Sequence, residues 1–276
     1  MKTIKILAAS ALLAPFASAA TIIPFDFSDV AVEGTSTFDV SSLGDVWRAS
    51  NANANLGIDA IFTMTAATAN GSPLASSLVF FDSSPTANAL RGNNMRLRVG
   101  PDVSDARVFI TITFVESGTD TPFVSWPVNA QLITQFSDLD SDAGGDRSDF
   151  GGVESGTYDQ PFSSNDVNPG SSLLVLDSAT EPGYDIFRMQ EPWGPKGNVI
   201  DTDAASQSPV TGAFLFNVTT GEAIAINMVG GQLSNNSEAN RHIDIDMTPD
   251  FIIIPEPSSA LLVVLAGLFG FMRRRR

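Results

Sequence analysis

The chain has 276 residues, of which 43% are hydrophobic and 17% charged, and its formal net charge at pH 7 is −16. This acidity argues against nucleic acid as a partner, because nucleic acids require a basic surface. The absence of cysteine excludes disulfides, thiolate metal sites and cysteine nucleophiles, and the single histidine, His242, excludes a zinc site built from several histidines.

The first element in the chain is an amino-terminal export signal. Residues 1–5 include two lysines, residues 6–16 are mostly apolar, and residues 17–19 read Ala-Ser-Ala. A basic segment, an apolar segment and a small-residue cleavage site in this order are typical of a secretory signal peptide. The sequence therefore predicts a signal peptide over residues 1–20 and a mature chain that begins near Ala20 or Thr21. An uncleaved amino-terminal helix buried in a core is the alternative.

Residues 21–254 are predicted to form one extracellular domain. Without the two amino-terminal lysines and the four terminal arginines the body keeps nine basic residues, and without Glu256 it keeps 30 acidic ones, so its net charge is about −21. Such a charge favours solubility and divalent cations as counter-ions. The length is sufficient for a sizeable core, and we find no convincing linker that would divide it.

Alternation of apolar and polar residues recurs along this body and predicts strands with one buried face. It is clearest at 108–114, 128–136 and 242–247. Further strands are predicted at 22–27, 56–65, 77–81, 95–99, 173–176, 185–189, 213–218 and 223–228. About ten short strands separated by Gly, Asn, Ser, Asp and Pro predict an all-β fold, an antiparallel β-sandwich of jelly-roll-like topology.

Two details of connectivity are also predicted. Residues 214–218 and 223–228, joined by the four-residue turn 219–222, are interpreted as a β-hairpin. Residues 138–156 and 191–209 are rich in turn-forming and polar residues and are interpreted as long loops or short disordered insertions.

The densest acidic segment spans residues 138–149. Counted from its first residue, its carboxylates fall at positions 1, 3, 5, 9 and 12. Oxygen ligands at these spacings can surround one Ca²⁺ ion, although Ala143 replaces the expected glycine and a strand precedes the segment where an EF-hand has a helix. A solvated acidic turn is the alternative. The candidate Ca²⁺ ligands are Asp138, Asp140, Asp142, Asp146 and Asp149.

No catalytic residue is assigned. His242, Asp244 and Asp246 alternate along one predicted strand and are interpreted as its solvent-facing side rather than as an acid–base group. No serine lies in a G-x-S-x-G motif. Glycoside hydrolysis requires two carboxylates at a suitable separation. In a body with 30 acidic residues some pair would meet this requirement by chance, so it does not identify an enzyme.

Aromatic residues offer a second kind of candidate site. Trp126 and Trp193 lie beside prolines in predicted turns, and with Trp47, Tyr158 and Tyr184 they would suit a surface that stacks against sugar rings. The alternative is that the tryptophans belong to the core. Trp126 and Trp193 are therefore the candidate glycan contacts.

The carboxyl terminus is the most informative segment. It reads Pro255-Glu256-Pro257-Ser258-Ser259, then an apolar run over 260–272, then Arg273-Arg274-Arg275-Arg276. The prolines interrupt regular structure. The apolar run is shorter than the ~17–25 residues of a full membrane span, and the two serines and snorkelling arginines would extend it. The arginine cluster is expected to stay on the cytoplasmic side.

This tail resembles the PEP-CTERM sorting signal of exported Gram-negative proteins, and the resemblance is confined to residues 255–276. It implies passage through the export machinery, transient anchoring of a hydrophobic helix in the inner membrane, and cleavage near Pro255-Glu256-Pro257 by a membrane protease of the exosortase type. It also implies delivery to the cell surface or to an exopolysaccharide-rich matrix. An ordinary stop-transfer anchor is the alternative.

The predicted function is therefore that of a surface- or matrix-associated structural or adhesive protein without catalysis of its own. Ca²⁺ is its candidate stabilising ion. A carbohydrate-binding module or a glycan-active enzyme is the alternative.

Overall fold

The computed structural model describes residues 20–27, 30–32, 46–69, 71–73, 79–82, 95–99, 105–137, 139, 147–163, 174–189, 211–234 and 241–247. From Thr21 onward these residues belong to one compact unit, Thr21–Ile254. They form sixteen strands and no helix, so the all-β prediction is confirmed for this part of the chain. Among the same residues, no helix has the length and apolar character needed to cross a membrane.

The strands are named in chain order. They are β1 (Thr21–Ile22), β2 (Val30–Val32), β3 (Val46–Asn53), β4 (Ile58–Ala69), β5 (Ser72–Pro73), β6 (Val79–Asp82), β7 (Met95–Val99), β8 (Ala106–Glu116), β9 (Ala130–Ser137), β10 (Arg147–Glu154), β11 (Gln160–Ser163), β12 (Leu174–Asp177), β13 (Tyr184–Met189), β14 (Gly212–Asn217), β15 (Ala225–Ser234) and β16 (Arg241–Asp246).

These strands form two sheets in a sandwich-like arrangement. The seven-stranded sheet has the order β11-β14-β9-β16-β7-β6, with β1 parallel to the start of β9. The nine-stranded sheet has the order β12-β13-β10-β15-β8-β4-β3-β2, with β5 paired to the end of β4. All other pairings are antiparallel among the described strands. The last described strand, β16, lies inside its sheet between β9 and β7.

One apolar core fills the space between the sheets. Along β8 the predicted alternation is confirmed, because Val108, Ile110, Ile112 and Phe114 are at most 1% exposed while the residues between them are only partly buried. Residues of the opposite sheet complete the same cluster, among them Phe136 on β9 and Phe214 on β14. Burial of so many large side chains is the main source of stability in a chain without disulfides.

Two phenylalanine–glycine contacts join the sheets. A Cβ atom built on Gly151 of β10 would overlap the ring of Phe136 on β9, and one built on Gly212 of β14 would overlap the ring of Phe187 on β13. Within the sheets, Gly151 is paired with Phe187 and Gly212 with Phe136. Each glycine thus makes room for the ring that projects from the opposite sheet.

The prediction of a continuous loop over residues 138–156 is wrong, because Arg147–Glu154 forms β10 in the interior of the nine-stranded sheet. This strand is hydrogen-bonded to β13 on one side and to β15 on the other. Strand β10 was not predicted because its polar and glycine-rich sequence lacks the apolar alternation of the predicted strands. Gly151 and Gly152 are tolerated because neighbouring atoms occupy the space that side chains would need.

The predicted hairpin over residues 214–228 is also wrong. The turn at Thr219–Glu222 exists, and Glu222 N donates to Thr219 O at 3.2 Å. The strands that it joins lie in different sheets, since β14 pairs with β9 and β11 whereas β15 pairs with β8 and β10. Sequence alternation reports which face of a strand is buried but not which sheet contains it.

Two smaller differences have local causes. Alternation was predicted from residue 128, but β9 begins at Ala130 and Val128 is 76% exposed. Asn129 has φ of 59°, a left-handed conformation that turns the chain immediately before the strand. The strands β2, β3, β5 and β11 were not predicted, because their short or polar sequences carry little apolar alternation.

Candidate functional site

The structure describes one of the five candidate Ca²⁺ ligands. Asp149 lies on β10 with 1% exposure, on the strand face that also carries Gly151 and Val153 and therefore points between the sheets. Its partner in the register is Gln232 of β15, which is 2% exposed. Asp138, Asp140, Asp142 and Asp146 lie outside the described residues.

Within the described ranges, no group of three or more His, Asp or Glu side chains is placed so that it could hold a metal ion. The Ca²⁺ site therefore stays a prediction. The fold shows in addition that Asp149, the last of the candidate ligands, belongs to a strand and not to a loop.

Trp126 does not offer a ring face to a glycan, and this part of the sequence prediction is corrected. The side chain is 2% exposed, and its ring packs edge-on against Phe114 and Phe123 at centroid distances of 5.6 and 4.8 Å. Its Nε1 donates a hydrogen bond to Glu222 O at 3.0 Å. The segment after β8 folds back over the core, where Phe123 N donates to Phe114 O at 2.9 Å, and this buries the indole.

Most of the other residues singled out in the sequence lie outside the described residues, and one of those that the structure describes is unexpectedly buried. Trp193, the motif Pro255-Glu256-Pro257 and the arginines Arg273, Arg274, Arg275 and Arg276 lie outside the described residues. Asp246 was expected on a solvent-facing side but is only 4% exposed, opposite Gln135 of β9. The cause is that the face of β9 that carries Gln135 and Ser137 is itself buried.

A buried carboxylate, Asp59 on β4, organises one end of the nine-stranded sheet. It is 2% exposed and accepts hydrogen bonds from Ser117 Oγ at 2.6 Å, from the backbone N–H groups of Asn51 and Gly118 at 2.8 and 2.9 Å, and from Arg48 Nη1 at 3.1 Å. Arg48 also pairs with the exposed Asp120.

Burial alone would raise the pKa of Asp59, but the hydrogen bonds from Ser117, Gly118, Asn51 and Arg48 outweigh it and lower the pKa. The carboxylate is therefore ionised and fully engaged. This network fixes the turn that follows β8 rather than presenting a group to a ligand.

Two further arginine–carboxylate networks tie the edge of the same sheet. Asp177 accepts from Arg188 Nε at 2.5 Å, from Thr180 Oγ1 at 2.7 Å and from the backbone of Ala179 at 2.7 Å. Burial alone would raise the pKa of Asp177, but these hydrogen bonds lower it well below its usual range. In the second network Arg107 of β8 pairs with Glu181 in the turn between β12 and β13.

The two tyrosines of the chain both lie near carboxylates of the nine-stranded sheet. Tyr158 donates to Asp185 Oδ2 at 2.8 Å, and burial together with this hydrogen bond raises the pKa of Tyr158 to about 12. Burial, followed by the negative charges of Glu154 and Glu181, raises the pKa of Tyr184.

A row of partly exposed polar groups lies on the outer face of the nine-stranded sheet. There Thr111 Oγ1 donates to Asn227 Oδ1 at 2.7 Å, and Asn227 Nδ2 donates to Glu154 Oε2 at 2.6 Å. Beside them the rings of Phe109 and Tyr184 approach each other with centroids 5.5 Å apart. We call these five residues the outer strip, and all five are half-buried.

Sequence analysis named Tyr184 as an aromatic candidate but missed the other four residues of the outer strip. A usable signal existed in β8, where Phe109 and Thr111 occupy the positions between the core residues. Asn227 and Glu154 could not be recognised in this way. Their neighbours on the outer face of the sheet depend on the order of the strands, which the sequence does not reveal.

Comparisons of the chain with protein-family models, with curated proteins and with solved structures found no match. The chemistry of the residues described above and of the two chain ends therefore carries the functional inference.

Proposed function

We propose that the chain is an exported structural or adhesive protein of a Gram-negative cell surface or extracellular matrix, without catalysis of its own. Residues 1–20 would direct export, residues 21–254 would form the working domain, and residues 255–276 would act as a PEP-CTERM-type sorting signal. The single observation that carries this proposal is the order of Pro255-Glu256-Pro257, an apolar run and four terminal arginines.

The described fold is compatible with this role. An all-β body with an extensive apolar core, in which the buried carboxylate of Asp59 is held by Arg48 and backbone N–H groups, suits a protein that must remain folded outside the cell without disulfides. We further propose a jelly-roll-like topology. Support comes from the chain path, which changes sheet between β9 and β10, between β10 and β11, and again between β14 and β15.

The proposed route through the envelope has a specific molecular outcome. The export machinery would engage the amino terminus, the arginine cluster would hold the carboxyl terminus at the inner membrane, and an exosortase-type protease would cleave near Pro255-Glu256-Pro257. The body would then be released to the surface or the exopolysaccharide matrix.

Intact-mass measurement on protein from the outer fraction of the native host tests this route. The expected species begins near Thr21 and ends near Pro255. A matched variant with the four arginines replaced by serine should be retained less well at the inner membrane. Recovery of an outer-fraction species that still carries Arg273–Arg276 would contradict the proposal.

A further inference from the structure

The outer strip contains an aromatic surface that spans the middle of the nine-stranded sheet. Phe109 belongs to β8 and Tyr184 to β13, and β15 and β10 lie between them. Three strand spacings amount to roughly 14 Å, yet the two ring centroids are 5.5 Å apart with an interplanar angle of 59°. The rings therefore lean toward each other across the two intervening strands.

Phe109 and Tyr184 cover apolar side chains on the outer face of the sheet, which explains why those side chains are buried. Val229 on β15 and Ile186 on β13 are 0% exposed although they lie on the outer face, and Phe109 and Tyr184 pack against their cluster. Phe109 and Tyr184 themselves are only half-buried. A small apolar cluster thus supports two rings that keep part of their surface in contact with solvent.

Hydrogen-bonding groups run alongside this aromatic surface. Thr111, Asn227 and Glu154 come from the adjacent strands β8, β15 and β10, and Glu154 is the register partner of Tyr184. An amide has two N–H donors and a carboxylate accepts up to about four hydrogen bonds, so the contacts within this row leave donors and acceptors for a ligand. The contacts within the row also restrict the rotamers of all three side chains.

Charge selects among ligands that combine apolar faces with hydroxyl groups. The carboxylate of Glu154 accepts from the neutral amide of Asn227, and the body carries about −21. An anionic polymer would be repelled by this field. An uncharged sugar ring would not be, and it offers an apolar C–H face to an aromatic ring and hydroxyls to an amide and a carboxylate.

We propose that the outer strip binds a neutral glycan, with Phe109 and Tyr184 in contact with the faces of sugar rings and Asn227, Glu154 and Thr111 hydrogen-bonded to hydroxyl groups. The proposal does not rest on the export route, since it depends only on described side chains of the body. It also places the glycan contact away from Trp126, which is buried.

Affinity electrophoresis and calorimetry with the full chain test the proposal, in a detergent that has no sugar headgroup. The probes are soluble β-glucan, galactomannan and hydroxyethyl cellulose as neutral glycans, alginate as an anionic one and chitosan as a cationic one. The variants are Phe109→Leu, Tyr184→Leu and Asn227→Ala. Val128→Ser is the matched control, because Val128 is 76% exposed and lies before β9 of the other sheet.

At least one neutral glycan should bind, and Phe109→Leu and Asn227→Ala should each weaken binding about five- to tenfold, as expected for the loss of one ring contact or one hydrogen bond. Val128→Ser should leave the affinity unchanged. Tyr184→Leu, which also removes one ring, should weaken binding to a similar extent. If Phe109→Leu loses its cooperative melting transition, Asn227→Ala and Tyr184→Leu decide the outcome.

Three results would overturn the proposal. The first is no binding of any neutral probe at millimolar concentration. The second is a neutral glycan that binds the folded outer-strip variants as tightly as it binds the wild type. The third is binding of chitosan alone that disappears with added salt, since this would indicate general charge attraction.

Discussion

The ring of Phe136, on one sheet, occupies the space that a side chain at residue 151, on the other sheet, would need. The reciprocal contact of Phe187 with Gly212 lies next to it, and the two phenylalanine–glycine pairs are register neighbours within their own sheets. Four residues therefore set how closely the two sheets approach at this point of the core.

Gly151→Ala should lower the free energy of unfolding by about 1–3 kcal/mol, because a methyl group forced into a packed core shifts neighbouring side chains and backbone. Denaturant unfolding of the wild type and the variant measures this change. Phe136→Leu should relieve the collision, so the double variant should lose less stability than the sum of the two single changes. Strict additivity of the two losses would contradict the proposed contact.

Asp59→Ala should lower the free energy of unfolding by about 3 kcal/mol, because it leaves Arg48 and two backbone N–H groups without a buried acceptor. Asp120→Ala is the matched control. It removes a carboxylate that pairs with the same arginine but is 86% exposed, so its effect should stay below about 1 kcal/mol. Equal losses in the two variants, measured by urea titration, would show that burial of Asp59 has no special role.

The chain contains two tyrosines, and both have a raised pKa in the folded state. Absorbance titration should therefore show tyrosinate appearing above pH 10, with Tyr158 titrating at about 12. In denaturant both should titrate near 10. Because folding raises these pKa values, the associated stability is complete below pH 10 and is lost as the pH rises through the folded values.

The contribution of Asp185 to this titration can be separated from that of burial. Asp185→Asn removes the negative charge beside Tyr158 Oη, so the pKa of Tyr158 should fall, while the pKa of Tyr184 stays raised by burial and by the charges of Glu154 and Glu181. Native protein in which both tyrosines ionise near pH 10 would be inconsistent with the described contacts.

The acidic segment predicts a response to Ca²⁺. If Asp138, Asp140, Asp142, Asp146 and Asp149 bind the ion in the folded state alone, a hundredfold excess over Kd adds about 2.7 kcal/mol of stability. The melting temperature should then rise by several degrees. The double variant Asp140→Asn, Asp142→Asn, compared in NaCl of matched ionic strength, should lose most of the rise. The same response in both proteins would identify the segment as a solvated acidic turn.

Sequence analysis succeeded where a strand buries one face and exposes the other. In β8 the alternation alone gave the core residues from Val108 to Phe114. It failed in β10, where Gly151 and Gly152 replace side chains and neighbouring residues fill the space. Tertiary packing, which a single strand does not encode, decides such positions.

The same limit applies to the candidate sites. Proline neighbours suggested an exposed Trp126, but the returning chain after β8 covers it. The outer strip depends on which strands become neighbours, and the pairing of Asn227 with Thr111 joins residues 116 positions apart. Register over such separations follows from the complete fold and not from local pattern.

The interior position of β16 determines the order in which the molecule can be assembled. A chain that emerges from its amino terminus makes β1 available long before β9, and it makes β6 and β7 available before the strand that joins them to the rest of their sheet. Only when Arg241–Asp246 has emerged can β7 and β9 be bridged. The seven-stranded sheet can therefore be completed only after nearly the whole body has emerged. Because its paired strands are far apart in the sequence, we expect slow folding.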